Sequence, residues 1–208
     1  MKRFAILTSL ILIVTATLAA QAPKGWKVRA DRSTSASDPD AAGAIKFVTA
    51  GSGFHATTPQ AAVFWSPANT ITGNYSLKGT FKLLKPSGHT NYYGLVFGGS
   101  DLEGASQNYL YFLVAQDGSW LVKRRNGDAT EDVVRKTPSD AVKKPDASGQ
   151  STNALEVRVQ ADKVEFAVNG TVVGNVPKAQ AAKTDGLYGI RSNHLLDIEV
   201  DGLSATKR

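Results

Sequence analysis

The chain has 208 residues, 42% hydrophobic and 20% charged, with 19 glycines and 8 prolines, which is the composition of a globular protein and not of a disordered or collagen-like one. It contains no cysteine, and this excludes disulfides, thiol nucleophiles and cysteine metal sites together. The formal net charge is +6, but the bases are scattered apart from Lys123-Arg124-Arg125, so the basic stripe with interleaved aromatics of a nucleic-acid binder is missing.

In chain order, Met1-Lys2-Arg3 is a short positive start, Phe4 to Leu18 an apolar run, and Ala19-Ala20-Gln21-Ala22 a set of small residues. This is the three-part layout of a secretory signal. The run falls short of the ~20 residues that a helix needs to cross a bilayer. Residues 1–22 are therefore read as a signal peptide cut between 19 and 22, and 23–208 as a single domain. Loss of Lys2 and Arg3 takes two from the 24 bases against 18 acids and lowers the excess to +4. Export without cysteine points to a secreted or periplasmic bacterial protein, with no membrane span once the signal is gone.

Residues 23–43 form a strand near Trp26 to Arg29 followed by a polar, turn-rich stretch. From Ile45 the chain reads as short strands separated by turn residues: 45–49, 53–57, 62–65, 75–84, 92–97, 109–114, 119–125 and 131–135. Five more follow at 154–160, 163–168, 171–176, 186–191 and 195–200. Strands at this spacing indicate a sandwich or barrel. Ser139 to Lys144 has room for one helical turn at most.

One hairpin can be read pair by pair. With Ala161-Asp162 as a two-residue loop, Val159 faces Val164, Val157 faces Phe166 and Leu155 faces Val168. Arg158 then faces Glu165 on the other side as a cross-strand ion pair. A slip of one residue would mix the two faces. Asn169-Gly170 and Asn126-Gly127 are both expected to make tight turns of type I′.

Four segments carry a resemblance. They are Tyr92-Tyr93-Gly94-Leu95-Val96-Phe97, then Tyr109-Leu110-Tyr111-Phe112 with Asp117-Gly118, then Val164 to Gly170, and Gly186 to Arg191 with Asp197 to Val200. The pattern, over about Tyr75 to Leu203, resembles the concanavalin A-like lectin/glucanase superfamily, in particular its laminin G-like and 3-keto-disaccharide hydrolase domains. The resemblance implies an all-β, two-sheet antiparallel jelly-roll sandwich. The glutamate-aspartate-glutamate strand of laminarinase-type members is missing. Tyr93-Gly94-Leu95 stands where the 3-keto-disaccharide family carries Asn-Ser-Gly.

Alternation sends Leu95, Phe97, Leu110, Phe112 and Val114 to the core, and Tyr92, Tyr109 and Tyr111 to the other side. Aromatic faces with polar tips suit sugar rings. The expected ligand surface is Tyr92, Tyr109, Tyr111 and Trp120, with Arg124 as a donor and carbohydrate as partner. The alternative is that these aromatics pack in a second layer under loops. Asp197, Glu199 and Asp201 share one strand face at a spacing of about 6.5–7 Å, which is suggestive of paired acids, but the polar-out alternation reads foremost as a half-exposed sheet. His55, His89 and His194 show no ligand spacing and read as separate, with His89 on a solvated loop. No cofactor is expected beyond a structural calcium, which many relatives hold. The expected function is a non-catalytic, carbohydrate-binding module. The alternatives are a glycoside-processing hydrolase of the 3-keto-disaccharide type and a structural surface component.

Overall fold

The computed structural model describes residues 22–32 and 36–208. The expected export signal, through residue 21, lies outside the described residues. The strands in chain order are β1 (Lys27–Ala30), β2 (Lys46–Ala50), β3 (Gly53–Thr58), β4 (Ala62–Ile71), β5 (Tyr75–Lys85), β6 (Tyr92–Ser100) and β7 (Asn108–Ala115). They continue as β8 (Ser119–Asn126), β9 (Ala129–Pro138), β10 (Ser151–Val159), β11 (Lys163–Val168), β12 (Thr171–Pro177), β13 (Gly186–Ser192) and β14 (Leu196–Lys207). A single short helix, α1 (Lys178–Ala181), stands among the described residues. The expected turn at Ser139 to Lys144 is a turn only, closed by the Val142 N–H donating to the Ser139 carbonyl.

The strands form two antiparallel sheets of seven. One has the order β1-β4-β13-β6-β7-β8-β9, the other β12-β11-β10-β5-β14-β3-β2. Strands that follow one another in sequence repeatedly leave one sheet for the other, so β13 lies between β4 and β6 while β14 lies between β5 and β3. This is a two-sheet jelly roll, as the alternating pattern implies.

Alternate residues of both sheets meet in the middle. Tyr75, Leu77, Phe81 and Leu83 of β5 and Leu155, Val157 and Val159 of β10 face Tyr93, Leu95 and Phe97 of β6 and Leu110, Phe112 and Val114 of β7, all buried. The β10–β11 register is the one read from sequence, with Val157 opposite Phe166 and Val159 opposite Val164. The ion pair differs. Arg158 donates to Glu156 (2.8 Å) on its own strand, and Glu165 is held by Lys163 (3.1 Å) and Gln160. Residues two apart on one strand share a face, so Glu156 is within reach of Arg158 while Gln160 and Lys163 occupy Glu165. Asn169 and Gly170 both have positive φ, 50° and 84°, as a type I′ turn requires. The other turn moves by one residue: Asn126 pairs with Ala129, and the two loop residues are Gly127, with φ of 56°, and Asp128.

Trp120 belongs to this core. It stacks edge-on against Phe112, with ring centres 5.9 Å apart, and also packs against Phe166. A Cβ at Gly174 of β12 would lie 2.6 Å from its ring, so the indole fills the place of a side chain there. Trp120 therefore does not join the expected ligand surface. Arg124 follows the same side of β8 and pairs with Glu131 of β9. Both depart from expectation for one reason: β8 is one ladder step from β7, and even positions there continue the core row of Phe112.

Candidate functional site

Tyr92, Tyr109 and Tyr111 do lie on one face of the first sheet, away from the core between the sheets. That face is not open. Val63, Trp65, Val96, Leu102, Tyr109, Tyr111, Leu113 and Leu121 form a second apolar cluster there, with Tyr92 partly buried beside it. Leu102 comes from the loop after β6. Arg29 of β1 holds that loop by donating to the carbonyls of Leu102 (3.2 Å) and Gly104 (2.5 Å). Tyr109 and Tyr111 are 1% and 6% exposed, so a sugar cannot stack on them without lifting this cover. The second-layer alternative describes these two tyrosines.

What the face offers instead is an arginine. Arg191 of β13 lies opposite Gly94 of β6, where a Cβ would meet the Phe112 carbonyl oxygen at 2.3 Å. It donates to Asp31 (2.6 Å) and to the Tyr109 hydroxyl (2.8 Å), and its guanidinium sits 5.1 Å from the centre of the Tyr111 ring. Asp31 also receives Arg125 at 3.3 Å. Burial would weaken the charge on Arg191, but Tyr109 and Asp31 outweigh it and hold the group more firmly protonated than usual. Burial pushes the Tyr109 phenol up, and the Arg191 charge opposes this. Arg191 Nε is buried without a hydrogen-bond partner. A polar cleft of about 130 Å³ runs past this arginine, lined also by Asp31, Asn91, Asn193, His194 and two further aspartates.

Three loops meet at that end of the sandwich. The first carries Asp38 and Asp40 and is tied down by Ala41 N–H donating to the Pro59 carbonyl (3.1 Å). The second, between β5 and β6, carries His89; Gln116 donates to the carbonyls of Ser87 (2.9 Å) and His89 (3.0 Å). The third, between β13 and β14, carries His194. Asn193 N–H donates to the Tyr92 carbonyl (2.8 Å), Thr58 donates to the Asn193 carbonyl (2.7 Å), and Leu195 takes a left-handed φ of 58°. A non-glycine residue there costs about 1–2 kcal/mol, so the turn that aims His194 is held by its surroundings.

His89 and His194 are thus not separate. Their Nε2 atoms are 3.1 Å apart, and Asp38 Oδ1 lies 3.0 Å from the first and 3.1 Å from the second. Asp40 Oδ1 is 3.1 Å from His194 Nδ1. The Asp38-Pro39-Asp40 loop reads in sequence only as a turn, and it supplies two of the four groups. A second hollow of about 540 Å³ adjoins the same loops and is lined by Ala41–Ala44, Lys46, Thr57, Lys85, Pro86, Leu195 and Asp197, among others.

The acid row of β14 does not gather into either space as a pair. Asp197 binds His55 (2.5 Å) and lines the larger hollow. Asp201 receives Ser52 (2.9 Å), and Glu199 stands in register with His55 and Lys82. His55 is therefore a hydrogen-bond partner of Asp197 on the second sheet, away from the histidine pair.

No protein-family model and no curated protein matches the chain. Solved structures do. A carbohydrate-binding module, CBM66 of Bacillus subtilis, superposes with a TM-score of 0.61 at 10% identity over 88% of this chain and 96% of that one. A Bacillus subtilis protein of unknown function with a galectin-like fold gives 0.60 at 13% identity over 89% and 91%. A functionally unknown protein of Saccharomyces cerevisiae gives 0.51 at 10% over 88% and 97%. With two seven-stranded antiparallel sheets and these neighbours, the chain has a jelly-roll sandwich fold.

Proposed function

We propose that the protein is an exported, non-catalytic module that binds extracellular carbohydrate at the loop-bearing end of the sandwich. The observation that carries this reading is the buried Arg191, fixed by Asp31 and Tyr109 at the wall of the polar cleft. A guanidinium held rigid by other groups donates to sugar oxygens with little further loss of freedom. Asn91 and Asn193 add neutral donors and acceptors of the kind that hydroxyls pair with. A cleft of about 130 Å³ takes the edge of one sugar unit, not a length of chain; pockets that enclose a drug-sized ligand run to about 300–1,000 Å³. The neighbour with the best overlap quoted above is a carbohydrate-binding module, which agrees with this reading. The three cleft carboxylates are each committed to a base: Asp31 to two arginines, Asp38 and Asp40 to histidines. That favours binding over acid–base hydrolysis.

The proposed contact set differs from the surface read in the sequence. Tyr109 acts through Arg191, Tyr111 packs against that arginine, and Tyr92 is partly buried, its carbonyl accepting from Asn193 N–H. The test is a glycan array with residues 23–208, followed by calorimetry on any ligand found. Arg191→Lys and Asn193→Ala should each weaken binding at least tenfold, while Lys163→Ala on the far sheet leaves it unchanged. An array without a hit, or a hit indifferent to both cleft substitutions, defeats the proposal.

A further inference from the structure

We propose that Asp38, His89 and His194 form a site for a divalent transition ion of the zinc class, with Asp40 as the carboxylate that orients His194. The inference does not rest on sugar binding. Its basis is the triangle of donor atoms, with edges of 3.0, 3.1 and 3.1 Å between Asp38 Oδ1, His89 Nε2 and His194 Nε2. Zinc binds imidazole nitrogen at about 2.0–2.1 Å and carboxylate oxygen at about 2.0–2.2 Å, which places tetrahedral donor atoms roughly 3.3 Å apart. An opening of a few tenths of an ångström brings all three corners to that spacing. The ion would then stand roughly 0.7 Å out of their plane, with one position free. The rings of His89 and His194 are perpendicular, at 89°, so their lone pairs can converge without the rings colliding.

The surroundings point the same way. Asp40 Oδ1 lies 3.1 Å from His194 Nδ1, the carboxylate–imidazole contact that orients a metal-binding histidine. His194 Nε2 faces the second imidazole nitrogen and the Asp38 carboxylate. A cation of this class bonds to two imidazole nitrogens and a carboxylate oxygen at once. Asn91 Nδ2, 3.1 Å from His89 Nε2, is the donor that serves this nitrogen when no ion is bound. The side chains of Asp38 and His89 are about half exposed and that of His194 is 6% exposed, so the site is anchored on one side and reachable from the other. Two imidazoles select against calcium, which takes oxygen donors.

The experiment uses the untagged chain from residue 23, stripped with a chelator, and titrates it with zinc alone, cobalt(II) alone and calcium alone. Calorimetry should show one zinc per chain, visible absorption should show cobalt bound in a low-symmetry site, and calcium should compete poorly. His89→Gln, at an exposed position that should fold normally, and His194→Ala should each weaken zinc binding at least 100-fold. Asp40→Asn should weaken it about 10–100-fold. His55→Ala, in the other histidine–aspartate pair, should change nothing. Zinc should raise the melting temperature of the parent chain and not that of His89→Gln. No stoichiometric zinc binding, zinc binding that survives both histidine substitutions, or a preference for calcium would each overturn the site.

Discussion

Arg191 shows what a single buried charge demands. Its side chain and that of Asp31 are 10% and 12% exposed, and Asp31 also neutralises Arg125. Asp31→Ala leaves the guanidinium buried with only the Tyr109 hydroxyl, and should cost about 3–5 kcal/mol in urea unfolding. Replacing both partners, Asp31→Leu with Arg191→Met, should cost much less than Asp31→Ala alone, because the buried guanidinium of Arg191 is gone and Arg125 keeps Asp128 at 3.7 Å. If the double substitution is the more damaging, the pair is net stabilising and this account of it fails. Trp120 makes the opposite case. Trp120→Ala opens a void against Phe112, Phe166 and Gly174 and should cost about 3–5 kcal/mol. Glycan binding by the molecules that remain folded should not change.

Among the elements, the segment from Ser139 to Gln150 lacks regular structure and is held by two side chains, Asn153 and Asn169, the latter donating to the Ala141 carbonyl (2.8 Å). Asn153 of β10 is fully buried; its Oδ1 accepts from Lys143 N–H (2.8 Å) and Asn169 Nδ2 (2.9 Å), and its Nδ2 donates to the Lys143 carbonyl (3.0 Å). Asn153→Ala orphans both backbone groups at once. It should lower stability by about 2–3 kcal/mol and raise hydrogen exchange in 139–150 before the core strands respond. Uniform exchange across the chain would contradict this. The β10–β11 hairpin was fully legible in the sequence, because its apolar face admits one register. The full length of β4 was not. Beyond Trp65 it runs through Ser66, Pro67 and Asn69, residues that read as a turn, and continues only because β13 pairs with it as far as Ile71.

For the whole molecule, acid response follows from two carboxylates. Arg158 beside Glu156 lowers its pKa to about 2 from an ordinary 4.5, against the opposing effect of burial and with help from Ser76. For Asp117, burial acts upwards, but Lys136 and Ser119 outweigh it and bring the value to about 2 from 3.8. Both are depressed on folding, so their contribution is complete above the unfolded values and is lost as pH falls from about 4.5 to about 2. Unfolding midpoints should be flat above that window and fall within it. Glu156→Gln should remove part of the slope, at a cost near neutrality of about 1 kcal/mol. A slope unchanged by the substitution would assign the acid response elsewhere. The sheet edges are also managed: β9 presents Glu131, Asp132, Arg135 and Lys136, charges that discourage further strand pairing.

The sequence by itself determined the strand order along the chain, the alternation of Tyr92, Tyr109 and Tyr111 away from the core, and one hairpin register. All of these follow from the two-residue period of a strand, which is local. Tertiary structure decided which outward face is roofed and which loops meet. Leu102 covers the tyrosines because the loop after β6 folds back onto its own sheet. Asp38, His89 and His194 converge because β13 inserts beside β6, bringing together histidines 105 positions apart. No spacing rule reaches that far, since loop convergence depends on the order of strands across a sheet and not on their order along the chain.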